Sequence, residues 1–95
     1  MRELILDGST WQSRDDVYES FFKAVQAPQW HGRNFDALID SIEHGDINGI
    51  EVPYKLTIKH SDSIGEGARK MADDFVELIH EIAARGCPVE IVVEN

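Results

Sequence analysis

The chain has 95 residues, and its apolar content of 42% is enough to form the core of one small domain over residues 1–95. Its 9 Lys and Arg against 18 Asp and Glu give a formal net charge of −9, which disfavours nucleic acid or an anionic membrane as the direct partner and favours a basic one. The single cysteine, Cys87, excludes an internal disulfide or a cysteine metal cluster, and without a predicted signal peptide or membrane span we expect a cytoplasmic protein.

The first elements predicted are a short strand and a helix. Leu4–Leu6 is an apolar run followed by the turn residues Asp7-Gly8-Ser9, which is typical of a buried strand. Ser13 then has the position of an N-cap, with two acids in the turn after it. The helix it begins should end before Pro28, and its apolar face comprises Val17, Phe21, Phe22 and Val25.

A second helix is predicted from the N-cap Asn34 to about His44, where Gly45 follows. Its apolar residues recur at helical spacing, so one face should be buried. The residues of that face are Phe35, Leu38, Ile39 and Ile42. The stretch from Asp46 to Pro53 is rich in turn residues and is predicted to be a loop.

The remaining elements complete an α/β fold. Alternation over Tyr54–Lys59 predicts a strand, and Ser63 with Glu66 has the spacing of a capping box before a long amphipathic helix that ends at Gly86. Val89–Val93 is predicted to be the last strand. Strands separated by helices imply parallel pairing through right-handed crossovers, with the helices packed against a three-stranded sheet.

The most informative charge pattern lies on the second predicted helix. Residues 34–54 contain no Lys or Arg, and within them Asp36, Asp40 and Glu43 fall on one ridge of the helix. Solvated helix faces usually mix both signs of charge, so a ridge of one sign favours docking to a basic surface. We therefore consider first a protein-binding module.

An enzyme or a carboxylate metal site is the alternative class, since two carboxylates on one ridge can hold a cation or act as an acid and a base. Little in the sequence supports this alternative. The histidines lack the spacing of a zinc site, and no nucleotide-binding or nucleophile motif is present. Cys87 is interpreted as a small core residue rather than a nucleophile, and Trp11 as a packing residue.

The segment from Pro28 to Asp40, PQWHGRNFDALID, resembles the central loop and helix of the barstar family, intracellular inhibitors of secreted bacterial ribonucleases. The resemblance extends over nearly the whole chain and includes Glu81 ahead of Cys87. It implies a barstar-like α/β fold with a three-stranded parallel sheet in order 1-2-3. It also implies that no catalysis or cofactor is needed, and that the partner is a basic ribonuclease or ribonuclease toxin, bound by a protein that is monomeric when free.

The resemblance also implies roles for individual residues. Asp40 would enter the phosphate pocket of the ribonuclease, Asp36 would pair with basic groups beside it, and Glu81 would add an ion pair. Trp30 would pack on an active-site histidine. The residues expected to contact the partner are Trp30, His31, Gly32, Asn34, Asp36, Ile39, Asp40, Glu43, His44 and Glu81.

Three departures from the family pattern lie in or beside this surface. Ile39 replaces a Trp, Arg33 places a positive charge beside the acidic ridge, and the stretch from His44 to Gly49 has extra residues. They predict a cognate enzyme that differs from the ribonuclease of barstar itself. A further alternative is a diverged member that keeps the fold as an interaction module without a ribonuclease partner.

Overall fold

The computed structural model describes residues 1–28, 32–44 and 48–95 and contains three strands and three helices of more than one turn. In chain order these are β1 (Arg2–Asp7), α1 (Arg14–Ala24), α2 (Phe35–Glu43), β2 (Tyr54–Lys59), α3 (Glu66–Ala84) and β3 (Val89–Val93). Single turns of 3-10 helix follow β1 at Gly8–Thr10 and β2 at Ser61–Ser63. The order and type of the main elements agree with the sequence predictions.

The three strands form one parallel sheet in the order β1-β2-β3, which confirms the predicted α/β class and strand order. β1 is longer than the predicted Leu4–Leu6 because all six of its residues are in register with β2, from Arg2 beside Tyr54 to Asp7 beside Lys59. Parallel pairing needs a crossover between consecutive strands, and the connections after β1 and β2 contain the helices.

The core lies between one face of the sheet and the helices. Its largest fully buried side chains come from every main element except β3, together with Trp11. They are Trp11, Tyr18, Tyr54, Phe21, Phe75, Leu6, Leu38, Ile42, Leu56, Ile58, Ile79 and Ile82. Phe21 of α1 and Phe75 of α3 meet with ring centroids 5.5 Å apart, so the two long helices pack on each other as well as on the sheet.

The start of α3 differs from its prediction. The N-cap is Gly65, and Ser63 belongs to the preceding 3-10 turn, so Ser63 and Glu66 do not form the predicted capping box. The Gly65 amide donates to the Trp11 carbonyl at 2.8 Å, and a Cβ on Gly67 would lie 2.6 Å from the Gln12 carbonyl oxygen. Backbone contact with the segment before α1 therefore fixes where α3 begins, and local capping chemistry does not.

Candidate functional site: the acidic face of α2

Helix α2 begins at its predicted cap. The Asn34 side-chain oxygen accepts a hydrogen bond from the Ala37 amide at 2.8 Å while the Asn34 backbone is extended. Gly32 precedes this cap, and a Cβ there would approach the Asn34 side-chain nitrogen to 2.8 Å. A side chain at position 32 would thus disturb the cap. Gly32 and Asn34, both predicted contact residues, therefore help to fix the start of α2.

The buried side of α2 is formed by large and small residues together. Leu38 and Ile42 are fully buried, and each such side chain contributes about 1.5–3 kcal/mol relative to an exposed one. Ala37 and Ser41 complete the buried side, and Ser41 accepts hydrogen bonds from the Asn48 side-chain nitrogen through its hydroxyl and its carbonyl, both at 2.9 Å. The helix is therefore held against the core along one side.

The sequence prediction placed Phe35 and Ile39 in the buried face, and for Phe35 this was wrong. Phe35 is 37% exposed and Ile39 is half-buried. At about 100° per residue, the buried set is centred on the side opposite the acidic ridge, so Phe35 and Ile39 lie between the two. The two small residues, Ala37 and Ser41, let the backbone approach the core, which turns Phe35 outward. Phe35 is thus a candidate contact residue, although its helical spacing had predicted a core position.

The acidic ridge of Asp36, Asp40 and Glu43 is exposed along its length. Across residues 1–28, 32–44 and 48–95, neither Asp36 nor Asp40 forms an ion pair or a side-chain hydrogen bond. Both carboxylates are therefore available to a partner on a helix whose opposite side is anchored. Asp36 also lies in the first turn, where the helix dipole favours negative charge.

Glu43 differs from the two aspartates because the tertiary structure supplies a counter-charge. Its carboxylate lies 3.4 Å from the Arg85 guanidinium, at the end of α3. The absence of Lys and Arg from residues 34–54 therefore does not leave Glu43 unpaired, since a residue distant in sequence folds against it. Only the part of the ridge at Asp36 and Asp40 is unpaired within the described ranges.

Arg33 also behaves differently from its sequence-based interpretation. Its guanidinium lies 2.8 Å from the Glu19 carboxylate of α1, in an ion pair that both side chains expose to solvent. The positive charge expected beside the ridge is thus directed toward α1. This ion pair links the segment before α2 to the first helix.

The other predicted contact residues fall in three groups. His44 is the exposed C-cap of α2. Glu81 is exposed on α3 one turn before Arg85, the residue that reaches Glu43, so α3 brings it to the same end of the molecule as the end of α2. Trp30 and His31 lie outside the described residues.

Cys87 follows α3 and is half-buried against the core. Burial raises the pKa of its thiol, and the nearby Glu43 carboxylate raises it further. A raised pKa keeps the thiol protonated at neutral pH, which is the opposite of what a cysteine nucleophile needs. The structure therefore agrees with the interpretation of Cys87 as a packing residue.

Metal ligand sets and membrane-spanning helices are both absent from residues 1–28, 32–44 and 48–95. No three His, Cys, Asp or Glu side chains within them come together as a metal ligand set. No helix in the same ranges is both long enough and apolar enough to cross a membrane.

The fold and the free carboxylates define a small α/β protein that presents an acidic helix at its surface. The family model described as "Barstar (barnase inhibitor)" matches residues 1–94, and the chain belongs to the barstar family. It is also similar to the Bacillus subtilis (strain 168) protein named "Putative ribonuclease inhibitor YrdF", with 27% identity over 81 residues that cover 85% of each chain. The family is one of inhibitors rather than enzymes, and both comparisons support a ribonuclease-inhibitor-like role.

Proposed function

We propose that this protein inhibits a microbial extracellular or toxin-type ribonuclease by placing the acidic face of α2 in the active site of the enzyme. The observation that supports this most directly is the pair Asp36 and Asp40, which are exposed and unpaired within the described ranges on a helix anchored by Leu38 and Ile42. A ribonuclease active site binds phosphates with basic groups, and the two carboxylates offer it the same charge. The inhibitor would thus occupy the site in place of RNA.

The geometry of α2 favours tight and selective binding. The Asn34 cap and the buried side fix the orientation of Asp36 and Asp40 before the partner arrives, so little conformational freedom is lost on docking. Carboxylates that become buried in an interface need cationic partners, so an enzyme with the wrong charge pattern is rejected. The net charge of −9 also attracts a basic enzyme over a distance and speeds encounter.

The remaining predicted contacts would complete the interface. Trp30, His31 and Gly32 precede α2, His44 ends it, and Glu81 would add an ion pair from α3. Phe35 and Ile39 flank the ridge and would supply apolar contact beside the charges. In this role the protein acts in the cytoplasm as an immunity protein and is monomeric when free.

The test is titration of the pure protein into a panel of small microbial ribonucleases while RNA cleavage is followed. We expect stoichiometric inhibition of one enzyme, and an inhibition constant that Asp40→Ala weakens by roughly 30-fold or more, as for a central interface residue. Asp62→Ala removes the same charge from the exposed 3-10 turn after β2 and should inhibit like wild type. Equal inhibition by wild type and Asp40→Ala would overturn the assignment of Asp40.

The same panel tests the identity of the enzyme. Ile39 and the ion pair of Arg33 with Glu19 change the surroundings of the ridge, so we propose a cognate enzyme other than the ribonuclease of barstar itself. Tightest inhibition of that ribonuclease would contradict the proposal. The second candidate function is an interaction module of the same fold, and the chain would be assigned to it if no ribonuclease in the panel is inhibited.

A further inference from the structure

The outer edge of β3 is the second surface of interest. Within residues 1–28, 32–44 and 48–95, β3 pairs with β2 alone, so its other edge has no strand partner there. The Glu94 amide donates to the Ile58 carbonyl at 2.7 Å, and the Glu94 carbonyl accepts from the Ser61 amide, so Glu94 faces β2. Because backbone groups alternate along a strand, the amides and carbonyls of Ile91 and Val93 face the open edge.

This edge also has less of the usual protection against strand pairing, since Glu90 is the one charged residue within β3. Edge strands are commonly protected by charged side chains, and β1, at the other edge of the sheet, contains Arg2, Glu3 and Asp7. β3 instead has three successive apolar residues, Ile91-Val92-Val93. Val92 is 38% exposed and Val93 is 48% exposed.

A groove of about 300 Å³ runs beside this edge, between the carboxyl ends of β2 and β3 and one side of α3. Its floor is apolar and consists of Ile58, Ile64, Ala72, Val76 and Val93. Asp73, Glu77 and His80 line it along α3, and Arg69 lies at one end with its guanidinium donating to the Ile64 carbonyl at 3.4 Å. The edge therefore combines free backbone groups with an apolar floor and with the two carboxylates of Asp73 and Glu77 on the α3 side.

We propose that β3 and this groove form a second docking site, which binds an extended, basic segment of a partner protein as an added strand. The backbone of the segment would pair with Ile91 and Val93. Every second side chain of the segment would face α3, and among these the apolar ones would lie on the groove floor and the basic ones would meet Asp73 and Glu77.

Charge decides between this occupant and a second copy of the chain. A two-fold pairing of β3 with β3 would bring the same surface patch from both copies together. Asp73 and Glu77 of both copies would then lie on the α3 side of one seam, between two copies that each carry a net charge of −9. A basic segment meets these carboxylates with the opposite sign, so we assign the site to it.

The second site is separate from the acidic face of α2. The end of α2 meets α3 at Arg85, whereas the groove follows α3 from Arg69 to His80. At 1.5 Å per residue, Glu77 and Arg85 are about 12 Å apart along the helix. Glu81, the residue of α3 proposed to meet the ribonuclease, directly follows His80 of the groove, so the two sites are neighbours at this point of α3. The β3 site does not depend on the proposed inhibition of a ribonuclease.

The experiment uses the full chain labelled with ¹⁵N and a short synthetic peptide with the repeat Val-Thr-Lys-Thr, so that valine and lysine share one face of the added strand. We expect saturable binding with the largest amide shifts at Ile91 and Val93. The same peptide with glutamate in place of lysine should not bind, and N-methylation of every second amide should abolish binding by removing edge hydrogen bonds. The proposal would be overturned if either modified peptide bound as tightly as the original one. It would also be overturned if the amide shifts were confined to α2, or if no saturable binding were seen.

Matched variants separate the groove from the rest of β3. Val93→Lys places a positive charge in the groove and should weaken peptide binding about tenfold, whereas Val92→Lys adds the same charge on the opposite face and should change it little. Asp73→Asn with Glu77→Gln should weaken binding about fivefold, and Asp36→Asn with Asp40→Asn, which removes equal charge from α2, should not. If Val92→Lys weakened peptide binding as much as Val93→Lys, or the α2 double variant as much as the α3 double variant, the proposed site would be contradicted.

Self-association is the remaining outcome to measure. Sedimentation equilibrium of the protein without peptide should show a monomer. A dimer that Val93→Lys dissociates would identify a second copy as the occupant and overturn the assignment to a basic segment. Inhibition of a ribonuclease by Val93→Lys should match wild type, so failure of the β3 site and failure of the proposed function give different results.

Discussion

Helices α1 and α2 both begin with acidic first turns, yet they use their carboxylates differently. In α1 the Asp16 carboxylate accepts hydrogen bonds from the Gln12 and Ser13 amides at 2.8 and 3.0 Å, and Glu19 pairs with Arg33. In α2 the neutral side chain of Asn34 caps the helix instead. Asp16 and Glu19 of α1 therefore serve the fold, whereas α2 leaves Asp36 and Asp40 free for a partner.

This contrast explains why the two acidic segments are not equivalent binding surfaces. A carboxylate that already accepts backbone hydrogen bonds must lose them to meet a partner, and this loss offsets any new ion pair. Asp36 and Asp40 have no such contacts within the described ranges, so a basic partner gains their full interaction. The use of a neutral cap on α2 is thus a structural condition for the proposed function.

The largest expected effect concerns the buried side of α2. Leu38→Ala removes a fully buried side chain and should lower the free energy of unfolding by about 2–5 kcal/mol, whereas Asp40→Ala should leave it nearly unchanged because Asp40 is exposed. Urea unfolding of both variants measures the difference. If Asp40→Ala destabilised the protein as much as Leu38→Ala, the carboxylate would serve the fold and the contrast with α1 would disappear.

The second prediction concerns the dependence of stability on pH. Hydrogen bonds from the Gln12 and Ser13 amides lower the pKa of Asp16 below its ordinary value of 3.8. The folded state then binds fewer protons than the unfolded state, so this stabilisation is present above pH 3.8 and is lost as the pH falls through the folded pKa. Asp16→Asn should therefore be less stable than wild type at pH 7, with a smaller difference below about pH 4.

Thermal unfolding at a series of pH values measures this prediction. The protein should remain folded at the lowest pH used, so that both forms unfold reversibly. A difference between wild type and Asp16→Asn that stays constant from pH 7 to below pH 4 would show that the ionised carboxylate does not stabilise α1.

The smallest expected effect concerns the ion pair between Glu43 and Arg85. Both side chains are partly exposed, so Arg85→Ala should change the free energy of unfolding by less than about 1 kcal/mol. It also frees a third carboxylate on the ridge, so the association rate with an inhibited ribonuclease should rise at low salt and approach wild type at high salt. Stopped-flow association at two salt concentrations measures this, and a slower rate at low salt would contradict the role of ridge charge in encounter.

Part of the candidate site could be predicted from neighbouring residues alone. The cap at Asn34 and the helical spacing of Asp36 and Asp40 depend on residues within one or two turns, and the structure has both features. The exposure of Phe35 could not be predicted in this way, because the sequence does not show that Ala37 and Ser41 face the core. The counter-charge of Glu43 was missed because Arg85 is distant along the chain.

The sequence by itself determined the α/β class, the order of its main elements and the acidic ridge, since periodicity, caps and turns are local properties of the chain. The tertiary structure decided where α3 begins, because the Gly65 amide bonds to the distant Trp11 carbonyl. It also decided which carboxylates are paired and which strand edge is left open. These features depend on contacts between residues far apart in sequence, and no local pattern encodes them.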